Sequence, residues 1–190
     1  MTTFMIISMD FQAVFSNVKK AFEEFASETG RKLKMEIEPG TFLTANSCIL
    51  LARVNDLADT GAHGYRFLKL DASMTDLLRP MIYGARHPIR LLGKSGDSLL
   101  PYVVVGSCCE SGDIFTPAEG NPEEIDTAQL PRADIGDYVA IMGAGAYGIA
   151  MSAKNYNSHP ICAEVMIREN GKYRLISRAQ KPEEIWEREI

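Results

Sequence analysis

The sequence predicts a mostly β domain, a small barrel or sandwich, preceded by a single helix-then-strand unit. Helical spacing of apolar residues is sustained only near the N-terminal end. Beyond Thr41 the pattern changes, and short apolar runs recur between turn signals. The composition is that of a globular chain: 190 residues, 46% hydrophobic and 24% charged, with enough apolar surface to offset the entropy of ordering. That length suits one domain, or one domain plus a fragment of another.

The elements come in order along the chain. Phe11, Val14, Phe15, Val18, Phe22, Phe25 and Ala26 form one stripe at helical spacing, with Lys19, Lys20, Glu23 and Glu24 facing away, so residues 11–29 read as an amphipathic helix. Gly30 is its expected stop. Leu33-Lys34-Met35-Glu36-Ile37-Glu38 alternates strictly between apolar and polar, the period of a strand, and Pro39-Gly40 breaks it. Strands are expected near 42–54, 65–71, 101–106, 137–142, 162–168 and 172–178. Glu169-Asn170-Gly171 joins the last two as a hairpin signal, because Asn-Gly suits the positive φ of a tight turn. Short helices are expected at 75–83 and 181–189, where Pro182 suits a first helical turn. Residues 116–134, rich in Pro, Asp and Glu, read as a solvated loop. The organisation is therefore 1–40 followed by a β domain over 41–190.

Charge and composition narrow the function. The net charge of −5 lacks the electrostatic footprint of a nucleic-acid binder and suits an acidic membrane surface no better. The longest uncharged stretch, Tyr138 to Ala153, is too short to span a bilayer and contains three glycines. The N-terminal MTTFMIISMDF has no basic region and no clear cleavage site, so a signal peptide is rejected and a cytoplasmic protein expected. Cys48, Cys108, Cys109 and Cys162 show neither zinc-site spacing nor a disulfide framework. His63, His87 and His159 are isolated from one another and from the cysteines, so no metal site is expected.

Three stretches could carry chemistry. Gly143-Ala144-Gly145-Ala146-Tyr147-Gly148 matches a dinucleotide fingerprint, but the residues after Gly148 read as strands, without the alternating helices that fingerprint needs. Tight backbone approach in a β protein explains it better. Ser107-Cys108-Cys109-Glu110-Ser111-Gly112-Asp113 places a thiol beside a carboxylate in a turn after an apolar strand. A thiol there can donate a proton and the carboxylate can bind an ammonium group. In Arg79-Pro80-Met81-Ile82-Tyr83, a guanidinium fork for a carboxylate shares a short segment with a phenol.

As an ordered set these stretches resemble the C-terminal part of the diaminopimelate decarboxylases. These are pyridoxal-phosphate enzymes grouped with the ornithine and arginine decarboxylases on the alanine-racemase-like fold. The matching residues are Glu38-Pro39-Gly40, Leu70-Asp71-Ala72, Arg79-Pro80 with Tyr83, Cys109-Glu110-Ser111-Gly112-Asp113, Gly145-Ala146-Tyr147-Gly148 and Asn155-Tyr156-Asn157. The resemblance runs from about residue 11 to the C-terminus. It implies that the 11–29 helix and 33–38 strand are the last pair of a truncated (β/α)8 barrel, with the β domain after them.

The resemblance also implies roles. Glu38, Gly40 and Thr41 would lie at the cofactor, Gly40 and its neighbours meeting the phosphate through backbone N–H groups. Arg79 and Tyr83 would hold the substrate, and Tyr147 would touch both cofactor and substrate. Cys109 would return a proton to the carbon that CO2 leaves, and Glu110 would bind the distal end of the substrate, both within the site of a partner subunit. The implied activity converts meso-2,6-diaminopimelate to L-lysine and CO2 in lysine biosynthesis. Two departures stand out. Thr41 stands where the family usually has Arg, and the part of the barrel that would carry the cofactor lysine is not in the sequence. The expectation is a chain that binds pyridoxal phosphate only with a barrel half, and that forms a homodimer or pairs with that half or a full-length homologue. The alternative is a non-catalytic dimerisation or binding module derived from the same family.

Overall fold

The computed structural model describes residues 10–96 and 98–190. The segment weighed as a signal peptide falls, over residues 1–9, outside the described residues. The chain forms two compact units, one ending at Gly40 and one running Thr41–Ile190.

In the first unit the helical stripe forms α1, Phe11–Thr29. Asp10 caps it: its carboxylate accepts the backbone N–H groups of Gln12 and Ala13 at 2.9 and 3.2 Å, two donors that the first turn leaves unpaired. Gly30 closes it in the left-handed conformation, φ 71°, and returns its N–H to the Ala26 carbonyl. Phe15, Val18, Phe22 and Ala26 of α1 line a groove of about 590 Å³ with Leu33, Met35 and Ile37. The 33–38 segment has the alternation of a strand but takes no ladder partner among the described residues. A strand exists only through bonds to a neighbouring strand, so its pattern stays unpaired and Leu33, Met35 and Ile37 stay exposed.

The second unit is mostly β. Its strands are β1 Leu50–Asp59, β2 Arg66–Leu70, β3 Ile89–Leu91, β4 Leu99–Val105, β5 Pro117–Ala118, β6 Asn121–Ile125, β7 Ala128–Pro131, β8 Tyr138–Ile141, β9 Glu164–Ile167 and β10 Tyr173–Ser177. Six of them form one sheet in the order β3-β8-β1-β2-β4-β7, with only β2 and β4 parallel. Its two end strands, β3 and β7, come together, so the sheet is a nearly closed barrel. Alternation points Ala52 and Val54 of β1 inward and Leu51 and Arg53 outward. The interior is filled by Val54, Leu68, Leu70, Leu77, Phe115 and Ile141. The Asn-Gly signal forms the β9–β10 hairpin, with Gly171 at φ 75°. Among the described residues, no helix is long and apolar enough to cross a membrane.

Four further expectations change. Only the second half of 42–54 is strand; Gly40–Thr44 forms the helical turn α2 and Ala45–Ser47 a 3-10 turn. The carbonyls of Ala45 and Cys48 there accept the N–H groups of Gly145 and Ala144, so a distant loop sets this backbone. The 75–83 helix shrinks to α3, Arg79–Tyr83, because Ser73 and Asp76 close a separate turn before it. At 181–189 only a 3-10 turn forms, Pro182–Ile185. The 116–134 loop holds β5, β6 and β7, and Thr116, Leu130 and Ala133 are buried. Its strands are too short to show a period of two, and β7 is set by its long-range pairing with β4.

Candidate active site

Arg79 and Tyr83 are the first and last residues of α3, four apart, so one helical turn stacks them on one face. The Arg79 guanidinium carbon lies 5.7 Å from the centre of the Tyr83 ring. On its other contact it lies 5.9 Å from the Tyr147 ring, which arrives from the glycine run. Tyr147 holds φ 54°, a left-handed conformation that costs energy for a side chain of its size. Packing enforces it. A Cβ on Gly145 would sit 2.0 Å from the Thr44 carbonyl oxygen, and one on Gly148 would sit 2.2 Å from that of Ala144. The glycine run therefore serves close backbone approach and delivers Tyr147 beside Arg79. Tyr83 and Tyr147 are about half exposed, so the guanidinium is framed by two accessible aromatic faces. A planar fork of donors in that setting suits a carboxylate.

A second cluster lies on the turn after β4. Cys109 is exposed. Its backbone N–H donates to Asn157 Oδ1 at 2.8 Å. The Glu110 carboxylate accepts the Gly112 N–H at 3.1 Å and the Tyr156 hydroxyl at 3.2 Å. These bonds, the Gly112 N–H first, hold its pKa below the usual range, so it is charged at neutral pH. Asp113 is the buried anchor of the turn. It accepts the Cys108 N–H at 2.9 Å and the Met74 N–H at 2.8 Å. Burial raises its pKa, partly offset by those two bonds. Burial first, and nearby carboxylates after it, also push the thiols of Cys48, Cys108 and Cys162 up, Cys162 to about 12.

The structure thus brings Arg79, Tyr83 and Tyr147 into one cluster and Cys109 with Glu110 into another. No hydrogen bond or ring contact joins the two among the described residues. Glu38 and Gly40 lie in the first unit, where the Gly40 N–H donates to the Glu38 carbonyl at 2.8 Å. Thr41, exposed, opens the second unit. Sequence reasoning assigned no role to Asp113, Tyr156 or Asn157, although each stands in a stretch it singled out. Among the described residues, no group of three or more His, Cys, Asp or Glu could hold a metal ion.

The chain is similar to known proteins in sequence and in fold. Diaminopimelate decarboxylase of Escherichia coli K12 is 42% identical over 170 residues, covering 87% of this chain and 39% of that protein. The Streptomyces coelicolor enzyme of the same name is 38% identical over 169 residues, 87% of this chain and 37% of that one. A crystal structure of diaminopimelate decarboxylase from Helicobacter pylori complexed with L-lysine superposes with a TM-score of 0.73. It has 31% identity and covers 97% of this chain and 41% of that one. The chain therefore spans about two fifths of the length of these relatives. The family described as pyridoxal-dependent decarboxylase, C-terminal sheet domain, matches residues 4–145, the stretch that carries the barrel, Arg79 and the Cys109 turn, and the chain belongs to that family.

Proposed function

We propose that this chain is the C-terminal portion of a diaminopimelate decarboxylase, the enzyme that converts meso-2,6-diaminopimelate to L-lysine and CO2. The observation that carries this reading is the Arg79 guanidinium against both the Tyr83 and the Tyr147 ring, in a chain 42% identical to an enzyme of that name. Arg79 holds a substrate carboxylate through paired N–H donors, and Tyr83 orients it. Glu110, charged and exposed, holds an ammonium group at the far end of the substrate. The Cys109 thiol places its proton on the carbon whose bond to CO2 breaks, and solvent can restore it because Cys109 is exposed.

Taken one by one, the residues suit pyridoxal phosphate. Tyr147 offers an exposed ring face, and no side chain stands where a Cβ of Gly40 would point. Glu38, Gly40 and Thr41 are the phosphate-side residues. When bound, the cofactor supplies the electron sink for decarboxylation. Lys69 and Lys94 are committed to ion pairs with Asp56 and with Asp134 and Asp137, so neither is placed to carry it. The remainder of the site comes from a barrel half, in which α1 is the last helix and the 33–38 segment gains the neighbours that make it the last strand. The chain alone is not competent. The assembled enzyme is a cytoplasmic homodimer in which Cys109 and Glu110 serve the partner's site.

CO2 release from meso-diaminopimelate with pyridoxal phosphate tests this, using the chain alone and the chain mixed with a barrel half from a relative. Release only in the mixture, lost in Cys109→Ala and in Arg79→Ala, is expected. Release by the chain alone would overturn the claim of incompetence. None in either, with the barrel half folded and bound, would favour the non-catalytic pairing module.

A further inference from the structure

We propose that Asn157 is a positioning residue for Cys109, and that the turn around it clamps the segment that bears the proton donor. The role for Cys109 rests on the function proposed above; the clamp itself is read from the structure. Successive amides of the 107–113 turn are held by different acceptors. The Cys108 N–H goes to Asp113 Oδ2 at 2.9 Å and the Cys109 N–H to Asn157 Oδ1 at 2.8 Å. Fixing two consecutive N–H groups orients the two peptide planes that flank Cys108, and so places the Cα from which the Cys109 side chain leaves the backbone.

The acceptors belong to one closed circuit. Asp113 Oδ1 accepts the Met74 N–H, the Met74 carbonyl accepts the Ala153 N–H at 3.1 Å, and the Ala153 carbonyl accepts the Tyr156 N–H at 3.1 Å. Asn157 is next in the chain after Tyr156 and returns to Cys109. Tyr156 adds a side-chain tie, its hydroxyl donating to Glu110. The clamp's backbone is left-handed at three residues other than glycine: Asn155, Asn157 and Ser158 take φ of 61°, 48° and 60°. Asn accepts that conformation more readily than most side chains, whereas Ser158 holds it because its surroundings enforce it. Here the Asn155 amide donates to the His159 carbonyl at 3.0 Å and to Gln180 Oε1 at 2.5 Å. Asn157 combines the two properties the position needs, tolerance of left-handed φ and a short side-chain acceptor.

Three substitutions in the full chain separate those properties, read by amide hydrogen exchange at Cys109 in NMR spectra. Asn157→Gly keeps the backbone conformation and removes the acceptor; Asn157→Ala removes both; Asn157→Asp keeps both. Exchange at Cys109 should rise about two- to tenfold in the Gly and Ala variants, the factor of one net hydrogen bond. It should stay near the parent value in Asn157→Asp, and the core amides of Val54 and Leu68 should not change in any variant. Unchanged exchange at Cys109 in the Gly variant would overturn the proposal. So would a rise at Cys109 matched at Val54 and Leu68, which would mark a general loss of stability. This readout needs no turnover, so it fails or succeeds separately from the decarboxylation assay.

Discussion

At the scale of single residues, two side-chain environments make sharp demands. His87 donates its Nδ1–H to the Met142 carbonyl at 2.9 Å, while its Nε2 is buried without a partner among the described residues. Burial lowers its pKa below 6.5, and nearby Arg79 adds to the effect. Because the folded state binds the proton less readily than the unfolded one, His87 contributes stability above pH 6.5 that is lost as pH falls through its depressed pKa. Thermal unfolding should therefore show a fall in Tm from pH 7 to pH 5 that is shallower in His87→Gln. Gly145 makes a steric demand. Gly145→Ala would drive its Cβ into the Thr44 carbonyl, so it should cost about 1–3 kcal/mol, as overpacking does. Gly96→Ala, with open space around it, should leave Tm unchanged in the same measurement. Some site residues were legible at this scale. The four-residue spacing of Arg79 and Tyr83 declares a shared helix face. The Cys109–Asn157 bond, 48 residues apart, declares nothing in the sequence.

At the scale of elements, local signals succeeded where the element is local. α1 ends at Gly30, the stop its sequence declares, and its start carries the Asp10 cap. Asp10→Ala should lower helical circular dichroism and cost about 1 kcal/mol in a denaturant titration, the usual loss of a side-chain N-cap. The β9–β10 hairpin forms around Asn170-Gly171 for the same reason, since the turn needs only its own residues. Elements that depend on distant partners carry no such local signal. The 33–38 alternation forms no ladder, and 116–134, expected to be a solvated loop, contributes β7 to the barrel.

At the scale of the whole molecule, the exposed apolar residues set the expected behaviour. Leu33, Met35 and Ile37 are 47%, 42% and 50% exposed, and with the α1 stripe they line an open apolar groove. Such a surface marks association. Light scattering should find a dimer or larger species, and Leu33→Lys with Met35→Lys should reduce it. A monomer in the parent chain would contradict that expectation. The second unit carries its own core, so its cooperative unfolding should survive those two surface substitutions.

Local signals in the chain specify the mostly β class, the extent and stop of α1, the hairpin, and the order of the Arg79, Cys109 and Tyr147 motifs. Each is set within a few residues, by period, by turn chemistry or by residue type. Contacts across the fold set the rest. They fix the closing of the sheet through β7, the left-handed Tyr147 beside Arg79, and the circuit that binds Cys109 to Asn157. Those depend on which distant backbone groups meet. A hydrogen bond between segments far apart in the chain leaves no periodic trace in either one.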